Sequence, residues 1–463
     1  MPRFMRASDA FTWAMESDAR LRSTVVALIV LDGTPDWDDV RRRFDRISRT
    51  LPMFRQRVVE TPPPAPPRWE FAADFDLDFH LRPVSAPAPG DLDAVLEMAR
   101  VLAMEDFDRI RPMWRVLLVD GLADGGAAVL CAFHHALTDG VGAIQIGRIL
   151  YEVSGRRPDR GPMPAEPEVP EPAPLSGYRD AVRYCVDVAG KAVTGALRSA
   201  PALIGRGIRQ PLQTVSAAAA TAASVYRTVR PVPAPGSELM TERSLLRRVG
   251  VHEVPLAPLR AAADRVGGTV NDAFIAGVAG GLRRYHEEHQ VPVGELHMCM
   301  PISLRGPADE MGGNRITLMR FDVPVGIADP AVRIDRIRRR TTTVRTERSL
   351  PYTELIAAGL NLLPRWYIGA ALRNVDFVAS NVPGIPVRVY LGGAPVRFQC
   401  SFSPTIGAAV NVTMLTYAGS CALGINADSA AIPDFDVFHE CLIAGFEEVL
   451  ALAPEGAEQP RPG

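Results

Sequence analysis

A chain of 463 residues, 47% hydrophobic and 22% charged, carries apolar material for more than one packed core. At about 150 residues per domain it divides into two or three units. Lysine and arginine number 51 against 53 aspartates and glutamates, a formal charge of -2; this excludes the basic excess of a nucleic-acid binder, so no nucleic acid is expected among its partners.

The opening "MPRFMRASDAFTWAMESDARLR" is charged throughout and lacks the apolar stretch of a signal peptide. "STVVALIVLDG" (23–33) follows as a short β-branched run that predicts a buried strand. Val40, Phe44, Ile47 and Leu51 then recur at helical spacing. Beyond a proline-rich loop, "DLDAVLEMARVLAMEDFDR" predicts a helix, and "MWRVLLVDGLADGGAAVLCAFHH" predicts two strands joined by a glycine-rich turn. "GVGAIQIGRILYEV" is helical, with Val141, Ile144, Ile149 and Val153 as its apolar stripe.

These elements form a first α/β unit over residues 1–155. Residues 156–240 read as a linker rich in proline and acids, followed by an alanine-rich helical segment. Strands and helices alternate again over 241–463, a second α/β unit. No run reaches the roughly 20 apolar residues of a spanning helix, so any membrane contact is expected to be peripheral. The six scattered cysteines show no CxxC pair and read as reduced thiols of a cytoplasmic protein.

The chemistry concentrates in "CAFHHALTDG", residues 131–140. Neighbouring side chains on a strand point to opposite faces, so His134 and His135 address one site only if the strand ends between them. The pair lies where an apolar strand gives way to helix-start signals, a loop in which α/β sheets commonly place their sites. A neutral imidazole there takes a proton from a hydroxyl, a role worth roughly 10²- to 10⁴-fold in rate. A helix beginning near Asp139 favours that neutral form. Asp139 itself either caps this helix or pairs with a distant arginine. Three readings stay open on these residues alone: a general base, two histidines packed at a strand end, and a metal site. The other histidines form no cluster with the pair to complete a metal's ligand set, and none is expected.

"HHALTDG" fits HHxxxDG, the signature of the acyltransferase superfamily that includes chloramphenicol acetyltransferase and peptide-synthesising condensation domains. The surrounding blocks narrow the resemblance. "FDRIRPMWRVLLVDGL", "GGTVNDAFIAGVAGGLRRY", "MPISLR", "GGNRIT" and "SNVPGIP" are similar, in order, to blocks of the bacterial wax ester synthase/diacylglycerol acyltransferase family. The chain departs from the family pattern at Ile385, where proline is more usual, and at Arg115, where many relatives carry an acid. The N-terminal block "MRASDAFTWAME" is a loose match.

The resemblance implies two chloramphenicol acetyltransferase-like α/β sandwich domains with a substrate channel between them. It makes His135 the general base, with His134, Asp139 and Gly140 completing the catalytic motif and Asn271 a candidate donor to the oxyanion. Asp272, Arg305, Asn314, Asn381, Pro383 and Gly384 are expected to line the channel or support it. The implied reaction joins an acyl-CoA co-substrate to diacylglycerol or a long-chain alcohol, with no metal and no bound cofactor. A transferase using a carrier-protein thioester and a non-catalytic lipid-binding protein of the same fold are the alternatives. Lipid substrates lead us to expect docking at the inner membrane or lipid droplets. "LIAAGLNLLPRWYIGAALRN" (355–374) is the candidate segment, and Arg41 to Arg43 or Arg338 to Arg340 are candidate contacts for CoA phosphates.

Overall fold

A computed structural model defines the fold and describes residues 3–155, 160–169, 177–188, 190, 194, 231–303, 316–345, 353–361 and 374–454. In the first half, β1 (Arg3–Phe4) and α1 (Ala7–Met15) precede β2 (Thr24–Leu31) and α2 (Trp37–Thr50). There follow β3 (Gln56–Val59), β4 (Arg68–Phe71), α3 (Leu77–His80), β5 (Leu81–Ser85), α4 (Leu92–Met104), β6 (Trp114–Asp120), β7 (Ala127–His134) and α5 (Gly140–Leu150). β2 reads "TVVALIVL" because both of its faces are covered. Val26, Leu28 and Val30 pack with Val95, Ala99 and Leu102 of α4. Ile29 and Leu31 pack with Val40, Phe44 and Ile47 of α2 on the opposite face.

The second half contains β8 (Arg247–Pro255), α6 (Leu256–Asp264), α7 (Val270–Glu288), β9 (Glu295–Ser303), β10 (Ile316–Pro324), α8 (Pro330–Arg345) and α9 (Thr353–Leu360). β11 (Phe377–Ile385), β12 (Tyr390–Leu391), β13 (Ala394–Phe402), β14 (Val410–Tyr417), β15 (Ser420–Asp428) and α10 (Phe435–Leu450) complete it. Its six-stranded sheet has the order β10-β9-β11-β14-β15-β8, with β11 parallel to both neighbours. α7 is buried around its circumference, and its small residues let α10 lie against it; a Cβ on Gly281 would stand 2.9 Å from Leu442 Cδ1.

The two halves do not separate at one point in the chain. The first sheet has the order β12-β13-β2-β7-β6-β5, so residues 390–402, which the sequence places with the second unit, supply two of its strands. β13 runs antiparallel to β2, from Val396 opposite Leu31 to Phe402 opposite Val26. The same β13 packs on β15, where Gly424 lies so close to the Ser401 carbonyl that no Cβ fits. The segment crossing between sheets therefore forms part of the floor on which the site is built.

Candidate active site

β7 pairs with β2 up to His134, opposite Thr24, and then leaves the sheet. The departure is fixed by backbone bonds on both flanks: His134 N–H donates to Met113 O (3.0 Å) and His135 N–H to Ser23 O (2.9 Å). The two imidazoles point apart, as alternation along a strand requires. His134 is fully buried, and its Nε2 lies 3.1 Å from Glu16 Oε1. Its Nδ1 accepts from Ala136 N–H at 3.0 Å, which places the ring proton on Nε2, facing the carboxylate.

Burial pushes the Glu16 carboxyl up, but His134, the Ser23 N–H and Arg109 together hold it below the usual carboxylate value. Glu16 Oε1 also accepts from Ser23 N–H at 2.9 Å. Arg109 reaches Glu16 Oε2 at 3.6 Å and lies over the Trp13 ring.

His135 points the other way, into a cavity of about 210 Å³. Along β7 and into the turn that follows it, residues 131, 133 and 135 keep accessible surface, while 130, 132 and 134 are buried. This period of two marks one face of the strand as cavity wall. Ala27 on β2 and Val116 on β6, both opposite Cys131, continue the wall, and Phe44, Phe54 and Trp114 line it further. α5 contributes Ala143, Ile146 and Gly147. The other half contributes Pro301 of β9, Ser380, Asn381 and Pro383 of β11, and Leu415 of β14, so the cavity lies between the halves. Tyr151 donates its hydroxyl to Gln399 Oε1 at 3.1 Å; Gln399 stands opposite Ile29, farther along the first sheet from His135. Enclosure by protein lowers the pKa of His135, and the neighbouring His134 adds to this. Its own backbone carbonyl and Asp139 partly oppose it, and the net shift favours the neutral ring.

Asp139 is the N-cap of α5, accepting from Gly142 N–H at 2.7 Å, and it also lines the cavity. Gly140 is the first residue of that helix. Asn271 lies outside the residues that line the cavity with His135. As the second residue of α7 it turns its amide onto Met300 Sδ at 3.8 Å. Asp272 closes a capping box with Thr269 and accepts from the Thr341 hydroxyl at 2.6 Å, tying α7 to α8. Asn381 and Pro383 belong to β11. Gly384 falls at a register shift in that strand, where its N–H donates to Thr416 Oγ1 (2.8 Å) and a Cβ would collide with the Thr416 carbonyl.

Arg305 and Asn314 lie outside the described residues, as does most of 355–374 beyond α9. The arginines expected to meet CoA are engaged with protein. Arg43 is buried and donates to Leu150 O (2.6 Å) and to Glu152, while Arg41 pairs with Asp78 and Arg42 with Asp39. Arg338 and Arg339 pair with Asp335, and Arg340 with Glu295. Among the described residues no group of three or more His, Cys, Asp or Glu is placed to hold a metal ion. No local pattern in the sequence singles out Glu16, Arg109 or Trp13. The available signal was their place in the N-terminal and "DRIRPMW" blocks, which fold together onto His134.

Residues 5–274 match the wax ester synthase/diacylglycerol acyltransferase catalytic domain, and residues 312–449 match the C-terminal domain of the same family. Two Mycobacterium tuberculosis H37Rv proteins, each named "Putative diacyglycerol O-acyltransferase", are similar along nearly the whole chain. One is 38% identical over 450 residues, covering 96% of this chain and 91% of its own; the other is 28% identical over 477 residues, covering 97% and 98%. The fold is similar to that of the wax ester synthase/diacylglycerol acyltransferase from Marinobacter aquaeolei VT8, with a TM-score of 0.63 at 20% identity and coverage of 97% and 99%. It is also similar to the first condensation domain of the calcium-dependent antibiotic synthetase, with a TM-score of 0.65 at 15% identity and coverage of 99% and 98%. The chain belongs to the wax ester synthase/diacylglycerol acyltransferase family and is an acyltransferase.

Proposed function

We propose that the protein transfers a long-chain acyl group from acyl-CoA to the hydroxyl of diacylglycerol, of a long-chain alcohol, or of both, with His135 as the general base. The observation that carries this reading is the position of His135: a neutral, enclosed imidazole in the wall of a largely apolar cavity between the two halves. A hydrocarbon chain lying along the face of residues 133 and 131 leaves its reacting end beside residue 135. Four residues separate 131 from 135, a depth of at most about 13 Å.

His135 removes the acceptor's hydroxyl proton as the oxygen attacks the thioester carbonyl. The tetrahedral oxyanion collapses, the carbon–sulfur bond breaks, and the CoA thiolate leaves with the proton returned by His135. The developing oxyanion needs a donor aimed at it. Asn381, which shares the cavity with His135, is better placed for this than Asn271, whose amide faces Met300. No bound metal or cofactor has a part in this scheme. The lipid acceptors call for docking on a membrane or droplet surface; no helix among the described residues is long and apolar enough to cross a membrane.

The test is to supply purified protein with palmitoyl-CoA and equal amounts of hexadecanol and dipalmitoylglycerol, then identify the neutral lipid. Palmitoyl ester of either acceptor is expected. Preference for a carrier-bound acyl group, or binding of lipid without CoA release, would overturn the reading.

A further inference from the structure

We propose that Glu16 is a positioning residue for acyl transfer, setting through His134 the loop that carries His135; this rests on the assignment of His135 as the base. His134 bridges two parts of the chain. One ring nitrogen faces Glu16, at the C-terminal end of α1, and the other accepts the N–H of Ala136, the residue that follows His135. The Glu16 oxygen facing His134 also takes the N–H of Ser23, and the carbonyl of Ser23 takes the N–H of His135. One carboxylate thus holds both flanks of the base: its own backbone through Ser23, and the next peptide through the His134 ring.

Glu16 is buried, with a side-chain exposure of 5%, and Arg109 supports its second oxygen from the "DRIRPMW" block. Such burial is costly for a carboxylate unless it is paired. This arrangement satisfies it with an N–H, an imidazole and a guanidinium. Glu16 does not reach the cavity and touches no reacting atom, so its effect is on geometry. Displacement of a reacting group by about 1 Å costs roughly 10²-fold in rate.

Three variants separate positioning from mere support of the fold. Glu16→Ala is expected to lower kcat by roughly 10²-fold, with KM for palmitoyl-CoA changed less than about threefold. Glu16→Gln keeps an acceptor oxygen for Ser23 and His134 and is expected to recover most of that loss. His134→Asn retains an acceptor for the Ala136 N–H through its amide oxygen but falls short of Glu16, and so is expected to reproduce the Glu16→Ala loss should that variant not fold. Nitrogen-15 NMR of histidine-labelled protein is expected to show the Nε2–H form of His134 in the parent, with its Nε2 proton signal moved upfield in Glu16→Ala, where the carboxylate facing that proton is gone. Combined with His135→Ala, Glu16→Ala is expected to cause no further loss. A Glu16→Ala or His134→Asn enzyme with kcat within about twofold of the parent overturns the positioning role. So does a Glu16→Ala effect that persists undiminished in the His135→Ala background. Full activity in His135→Ala alone would instead overturn the base assignment, and the positioning role with it.

Discussion

Acidification should unlock the wall of the cavity through His80. This imidazole is buried with 1% exposure, packed against the rings of Phe75 (5.3 Å) and Trp114 (4.6 Å), and its Nδ1–H donates to Trp114 O at 2.7 Å. Burial, with the nearby Arg111 and Arg115 charges, pushes its pKa down from 6.5 to about 4, against the raising effect of the Trp114 carbonyl. Because the folded value is depressed, the unfolded chain binds the proton first. The stabilisation is fully present above 6.5 and is lost progressively as pH falls to about 4. Across that window the shift corresponds to about 3 kcal/mol. His80→Phe keeps the stack and removes the titration. Urea unfolding of both proteins at pH 7.5 and pH 4.5 isolates the contribution, since the other buried histidines titrate in both. The parent should lose more stability than the variant by about 2–3 kcal/mol. Parallel losses in the two proteins would refute the assignment of a neutral, buried His80. Trp114 lines the cavity, so chain binding should weaken over the same range.

Other outcomes follow from the same geometry. Gly384→Ala should destabilise the protein by about 3 kcal/mol in urea unfolding, because its Cβ can be housed only by parting β11 from the Thr416 carbonyl; an unchanged midpoint would contradict that contact. Ala27→Phe places a ring in the cavity opposite Cys131 and should lower the ratio of kcat/KM for palmitoyl-CoA to that for a twelve-carbon acyl-CoA by roughly tenfold or more, with an unchanged ratio placing the acyl chain elsewhere. Since enclosure depresses the pKa of His135, kcat/KM should rise with pH on a limb whose midpoint lies below 6.5 and be level by pH 7.5, whereas a midpoint above 6.5 would contradict a desolvated base.

Local patterns made much of the site legible. The apolar run ending in "HH" and the Asp-Gly after it became β7, a loop and an Asp139-capped α5, because strand burial and helix capping are written within a few residues. Alternation along β7 also separated the two histidines correctly. The pairing of β13 with β2 carried no such signal: Phe402 meets Val26 across most of the chain, and the strand's own sequence does not say which sheet it joins. Arg43 reads as part of an arginine run open to CoA phosphates, yet the Leu150 carbonyl and Glu152 draw it inside. The resemblance makes Asn271 a candidate oxyanion donor, and only its contact with Met300 shows which way the amide turns. Glu16 was hidden for the same reason as β13, since its partners at 23, 109 and 134 come together only in three dimensions.

The most direct measurement is CoA release from palmitoyl-CoA in the presence of a lipid acceptor by His135→Ala, with unfolding followed in parallel. His135 opens on a cavity, so the variant should fold with a midpoint close to the parent's while turnover falls by roughly 10²- to 10⁴-fold. Turnover equal to the parent's in a folded His135→Ala protein would contradict the assignment of proton transfer to this residue.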